Sequence, residues 1–200
     1  MSSGLLKNRP RYLRALALVV IPIVALASPS EHPEWMNELA EVLGVVCLVV
    51  CLVGRGWASV YVAGRKNQEL VTVGPYSVVR NPLYVFSFIG VVGMGLISEM
   101  MTLLAVAVVV FAAAFHLVVG REEAYLANLH GEAFKGYARA VPRWFPRLSA
   151  WRDTARLEVE PRQIALYLRD SSLFFLALIF FEASQFLHDV GVLPTLIHIP

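Results

Sequence analysis

Charge is scarce in this sequence: Lys, Arg, Asp and Glu together make up 16% of its 200 residues, against about 25% in a soluble globular chain. With 58% apolar residues and a mean hydropathy of +0.63, an ordinary soluble domain is excluded. Cysteine is nearly absent. Cys47 and Cys51 lie four apart in an apolar run, a spacing that suits small core or lipid-facing residues and neither metal nor redox work. A G-x-G-x-x-G fingerprint after a strand is missing, which removes a Rossmann-type nucleotide site. Basic residues interleaved with aromatics are missing too, so no nucleic-acid partner is expected. There is no internal repeat and no low-complexity segment.

Long apolar runs are what the chain has instead. They are continuous rather than alternating, so the expected fold is an all-α integral membrane protein. Five spans are expected, at about Tyr12 to Ala27, Leu39 to Val62, Leu83 to Ser98, Met100 to Val119 and Ser171 to Leu187. Only Ser98-Glu99-Met100 separates the third from the fourth, which predicts a tight helical hairpin. The first run has basic residues before it but no clean A-x-A-like site after it, and is read as an uncleaved helix.

Cations fall on one side of this pattern. Lys7, Arg9, Arg11 and Arg14 precede the first span, Arg65, Lys66 and Arg80 lie between the second and third, and the remainder run from Arg121 to Arg169. The other connections carry none. The N-terminus and both basic segments are therefore expected in the cytoplasm of a bacterial-type inner membrane, with the C-terminus outside. The formal net charge of +2 hides a cationic face suited to the anionic inner leaflet of the lipid bilayer. Arg55 breaks the pattern from within the second span, either snorkelling to the interface or facing a polar cavity.

Two polar stretches interrupt the apolar runs. In "GPYSVVRNPLYV", Gly74 to Val85, Gly-Pro signals a turn and Asn81-Pro82 starts a helix. Asn81 is the expected N-cap, its side-chain oxygen accepting a free backbone N–H, and the helix N-terminus is a natural anion site. Tyr76, Arg80 and Tyr84 beside it are not needed to start a helix. The second stretch runs from Phe115 to Pro146. His116, Gly120 and Glu123, four and three apart, share one helical face. Adjacent Glu122 and Glu123 point about 100° apart, so one at most faces a pocket directly. The pair reads equally as a solvated helix end beside Arg121, and His116 as a polar group satisfied within the bundle. No metal is expected, since His116 and Glu123 alone do not make a site.

Together, "LVTVGPYSVVRNPLYV", "REEAYL" and "GEAFKGYARAVPRWFP" resemble the membrane methyltransferases related to isoprenylcysteine carboxyl methyltransferase and phosphatidylethanolamine N-methyltransferase. The resemblance covers Leu70 to Pro146. It implies a cytoplasm-facing S-adenosylmethionine pocket, with a lipophilic or prenylated acceptor arriving from the bilayer. It also implies cofactor contacts from Gly74, Pro75, Tyr76, Arg80, Asn81, Pro82, Tyr84, Glu122, Glu123 and Pro142, to which the helix face adds His116. Tyr137 and Arg143 are the candidates nearest the chemistry, Arg143 for an anionic acceptor head group. Asn81 stands where the prenylcysteine enzymes commonly carry histidine, His130 where a phenylalanine is usual, and Phe134 where a tyrosine is. The chain is divided as 1–65, the first two spans; 66–148, the methyltransferase core; and 149–200, a short cytoplasmic helix from Pro161 and a last span carrying Glu182 and Gln185. The alternatives are an NADPH-dependent membrane reductase of the sterol-reductase type and a non-catalytic module of the same fold.

Overall fold

A computed structural model describes residues 27–29, 33–65, 69–194 and 197–199. The expected first span, Tyr12 to Ala27, falls almost wholly outside them. Helix α1 is Glu34–Val62, α2 the single turn Pro75–Val78, α3 Pro82–Ile97, α4 Met101–His130, α5 Glu132–Ala140 and α6 Pro161–Asp189, with a 3-10 turn at Leu148–Ala150. Strands β1, Ala27–Pro29, and β2, Ile197–Ile199, pair in parallel with Ala27 opposite Ile197. Apart from this short ribbon the regular structure of the described residues is helical, in line with the all-α expectation. Six extended residues in two separated segments carry no periodic signal from which a strand would be read.

The chain is a helical membrane protein. By length and composition α1 and α4 can cross a bilayer. At 16 residues, α3 extends about 24 Å, short of the roughly 30 Å hydrocarbon core. Val49 and Val53 on α1 and Val106, Val109 and Val110 on α4 are exposed, apolar faces that suit lipid tails and not water. A separate cytoplasmic helix after Pro161 does not form. Pro161 opens a single helix of 29 residues that includes the last apolar run, because proline is at home at the first helical position and no breaker follows it.

Packing centres on α1 and α3, whose small residues let the two backbones approach. A Cβ on Gly93 would lie 2.7 Å from the Gly44 carbonyl oxygen. Buried Cys51 sits in this seam. Between α3 and α4 the hairpin turns at Ser98–Met100. Glu99 has φ +55°, and the Ser98 hydroxyl donates to the Gly95 carbonyl at 2.8 Å, satisfying a carbonyl at the end of α3. At the opposite end α1 is tied to the segment after α5. Trp57 stacks on Trp151 at 5.3 Å between centroids, and the Tyr61 hydroxyl donates to Asp153 at 2.9 Å.

Candidate functional site

Backbone hydrogen bonds stitch the two motif stretches together. The Gly74 amide donates to the Arg152 carbonyl at 2.7 Å, the Arg80 amide to the Pro142 carbonyl at 2.8 Å, and the Arg147 amide to the Val78 carbonyl at 2.9 Å. Gly74 has φ +60°, and a Cβ there would come within 2.2 Å of the Tyr61 ring, so glycine is required for the chain to turn against α1. Pro75, fully buried, opens the single turn α2. Gly74, Pro75 and Pro142 thus build the frame.

Inside that frame Glu123 is the hub. It is buried, and its Oε1 accepts from Asn81 Nδ2 at 3.1 Å. Its Oε2 accepts from Arg80 Nη1 at 3.3 Å and from Arg143, through Nε at 3.0 Å and also through Nη2. Two arginines and an amide converge on one carboxylate, so the buried group is both paired and hydrogen-bonded. Asn81 does precede α3, but the capping bond expected of it is absent. Proline at the first helical position leaves one donor fewer to cap, and the Asn81 side chain is instead turned to the Glu123 carboxylate. The head-group role expected of Arg143 meets a similar obstacle, since Glu123 occupies its guanidinium on two nitrogens.

A cavity of about 390 Å³ opens beside this hub, within the range of about 300–1,000 Å³ of small-molecule sites. Of the residues singled out from sequence, Tyr76, Arg80, Asn81, Pro82, Tyr84, Glu122 and Tyr137 line it. Glu123 and Arg143 stand behind that lining, and the buried Arg80 Nε has no hydrogen-bond partner among the described residues. Glu122, half-buried, is the member of the acidic pair that reaches the cavity. His116 is exposed two turns up α4 and does not line it. The face of α4 turned to the site runs instead through Phe115, buried Val119, Glu122 and Leu126, with Phe115 against Tyr84 at 5.2 Å.

Tyr137 donates its hydroxyl to the Tyr76 carbonyl at 2.8 Å. Burial pushes its ionisation well above the usual tyrosine range, a rise opposed by Arg80, reinforced by Glu123 and opposed by Arg152. It therefore stays protonated at neutral pH and cannot act as a base; it holds the Tyr76 turn against α5. Tyr76 is raised as well, chiefly by burial and then by Tyr167, Tyr137, Glu122 and Tyr84. Phe134, in place of a tyrosine, packs edge-on to Tyr137 at 6.2 Å in a buried cluster with Val141. His130, at the end of α4, leaves Nε2 buried without a partner among the described residues.

Among the cavity residues absent from the sequence-derived site are Arg55, Arg65, Glu69, Ser87, Tyr125 and Tyr167. Arg55 carried a signal, a cation inside an apolar run. Tyr167 carried none, since only tertiary packing brings α6 to the motif stretches.

The phospholipid methyltransferase family matches residues 39–133. The nickel-cobalt-cadmium resistance protein NccN of Alcaligenes xylosoxydans xylosoxydans is 35% identical over 186 residues, covering 91% of this chain and 87% of its own. The cobalt-zinc-cadmium resistance protein CzcN of Cupriavidus metallidurans is 36% identical over 193 residues, covering 96% and 89%. Protein-S-isoprenylcysteine O-methyltransferase of Schizosaccharomyces pombe is 31% identical over 114 residues, covering 52% and 48%. No solved structure matches significantly.

Proposed function

The chain belongs to the phospholipid methyltransferase family, and from that premise we propose that it transfers a methyl group from S-adenosylmethionine to a lipophilic or amphipathic acceptor at the membrane interface. The observation that carries this reading is the lining beside Glu123. It combines a cationic group whose buried nitrogen, Arg80 Nε, has no partner among the described residues with the carboxylate Glu122 and the rings of Tyr76 and Tyr84. That donor set fits the cofactor: Arg80 for its carboxylate, Glu122 for its ammonium or ribose hydroxyls, and the tyrosines for its flat base.

S-adenosylmethionine supplies an electrophilic methyl on a sulfonium, so the protein has chiefly to align two partners. Glu123 serves this by fixing Arg80 and Asn81 in place. The Tyr137 hydroxyl fixes the Tyr76 turn, and the apolar lining excludes water from the reacting groups. Titrating labelled S-adenosylmethionine and labelled NADPH onto purified protein tests the reading. Saturable binding of the first alone is expected. Binding of NADPH alone would select the reductase reading, and binding of neither a non-catalytic module.

The orientation we infer has the motif stretches in the cytoplasm of an inner membrane, with five crossings and the C-terminus outside. Lys and Arg support it by their one-sided placement. The β1–β2 pairing is compatible, since it requires the connection after the first span and the C-terminal segment to share a side. Reporter fusions at the two termini should give opposite signals; matching signals would remove a span.

The names of NccN and CzcN favour a physiological setting for this chemistry, namely methyl transfer that serves resistance to cobalt or cadmium. Expression in a metal-sensitive host should then raise tolerance, and Arg80→Ala should abolish the gain. A gain retained by that variant would separate tolerance from the cavity.

A further inference from the structure

We propose that residues 145–151 form an interfacial anchor, which sets Phe145 and Leu148 into an anionic phospholipid leaflet at the end of the bundle that carries the cavity. The proposal rests on the membrane reading of the helices and not on methyl transfer.

Both apolar side chains stand out on a fixed backbone. Phe145 is 86% exposed and Leu148 77%. A loose chain could turn them inward, but this one is tied on both sides of Leu148. The Arg147 amide donates to the Val78 carbonyl at 2.9 Å, while the Arg152 amide donates to the Ser77 hydroxyl at 2.9 Å and its carbonyl accepts from the Gly74 amide at 2.7 Å. Between these ties the 3-10 turn Leu148–Ala150 is closed by the Trp151 amide on the Leu148 carbonyl at 3.1 Å.

Continuity with the spanning helices identifies lipid as the cover. Val49, Val53 and Trp57 recur every four residues on α1 and are all exposed, so they form one lipid-facing stripe. Trp57 ends it five residues before Val62, about 7.5 Å inside the helix end, a place suited to the aromatic belt of a span. Because Trp151 stacks on Trp57, the stripe passes from α1 to the segment. Residues three apart eclipse in a 3-10 turn, which puts Leu148 on the side of Trp151. The level follows from α3, which at about 24 Å is shorter than the hydrocarbon core. Val78, just before α3, and the segment bonded to it therefore lie at the head-group boundary.

Charge selects the lipid. From Arg139 to Arg156 the chain carries five arginines and a single acid, Asp153. Tyr61 engages Asp153, and Arg143 is held by Glu123. Arg139, Arg147, Arg152 and Arg156 are exposed. Cations around an apolar wedge suit an anionic membrane surface. An acidic soluble partner would match the charge but not a wedge continuous with lipid-facing helix.

The test uses a polarity-sensitive thiol fluorophore on Phe145→Cys, Leu148→Cys and, as a control, Glu132→Cys, in nanodiscs of phosphatidylcholine with or without phosphatidylglycerol. Protein without these substitutions, whose Cys47 and Cys51 lie in α1, gives the background. With phosphatidylglycerol, the probes at 145 and 148 should emit to the blue, be quenched by lipids brominated in the acyl chain and resist aqueous iodide. The probe at exposed Glu132 should do the opposite. Arg147→Gln or Arg156→Gln, added to Leu148→Cys, should each lower partition of the probe into lipid by roughly five-fold. Iodide access at 145 and 148 equal to that at 132 overturns the anchor and leaves this surface to a soluble partner. Protection that depends neither on phosphatidylglycerol nor on the two arginines overturns the choice of an anionic leaflet. No reading uses S-adenosylmethionine, so the anchor and methyl transfer can fail separately.

Discussion

Glu123→Ala is expected to be among the most damaging single substitutions in the molecule, lowering stability by about 3 kcal/mol, the lower end of the cost of stripping one partner from a buried ion pair. The lower end applies because the Arg143 side chain retains 32% exposure and can recover some solvation, whereas Arg80, at 16%, recovers little. Asn81 loses its acceptor at the same time. Glu123→Gln keeps an oxygen for Asn81 and the shape of the side chain, and so should unfold nearer to wild type. Both variants should lose S-adenosylmethionine affinity by roughly 10- to 100-fold, although Glu123 does not line the cavity, because Arg80 does and would no longer be held. Thermal unfolding in detergent, followed by cofactor titration on whatever remains folded, separates the effects. A wild-type midpoint for Glu123→Ala would mean that the arginines find other partners and that Glu123 is not the hub.

How such a hub arises explains what the sequence disclosed and what it withheld. Local chemistry was legible: Pro82 at the first turn of α3, the three-residue hairpin turn at Ser98–Met100, and the turn at Gly74. Each depends on residues within one or two turns of each other. The pairing of Arg80 with Arg143 on one carboxylate was not legible from spacing, because it joins residues 43 and 20 positions from Glu123. Family resemblance alone brought those stretches together. It also assigned ligand roles to residues that serve the frame, since a motif does not distinguish a residue that touches a ligand from one that holds its neighbour. Gly74 turns against Tyr61, Pro142 receives the Arg80 amide, and Arg143 is spent on Glu123. Conversely, Arg55, Ser87 and Tyr167 lie outside the motif stretches or carry side chains too ordinary to be noticed. Asn81 shows the same competition at one residue: its local cap preference yields to a long-range charged partner.

Seams of this kind predict where the fold is least tolerant. Gly93→Ala should cost about 1–3 kcal/mol, the usual penalty for overpacking, because the added methyl would sit 2.7 Å from the Gly44 carbonyl oxygen and 2.8 Å from Cys47 Cβ. The first of these is backbone on a packed helix and cannot swing aside, so α1 and α3 must separate. Gly93→Val adds branched bulk at the same point and should cost more. Separation would also pull Arg55 from the Ser87 hydroxyl, to which it donates across the same two helices. Gly120→Ala is the matched control. A Cβ at Gly120 meets nothing within 4 Å, and alanine favours a helix over glycine by about 1 kcal/mol, so this variant should be neutral or slightly stabilised. Unfolding midpoints of the two alanine variants, measured side by side in the same detergent, decide the matter. Equal midpoints would show that the α1–α3 contact relaxes at no cost.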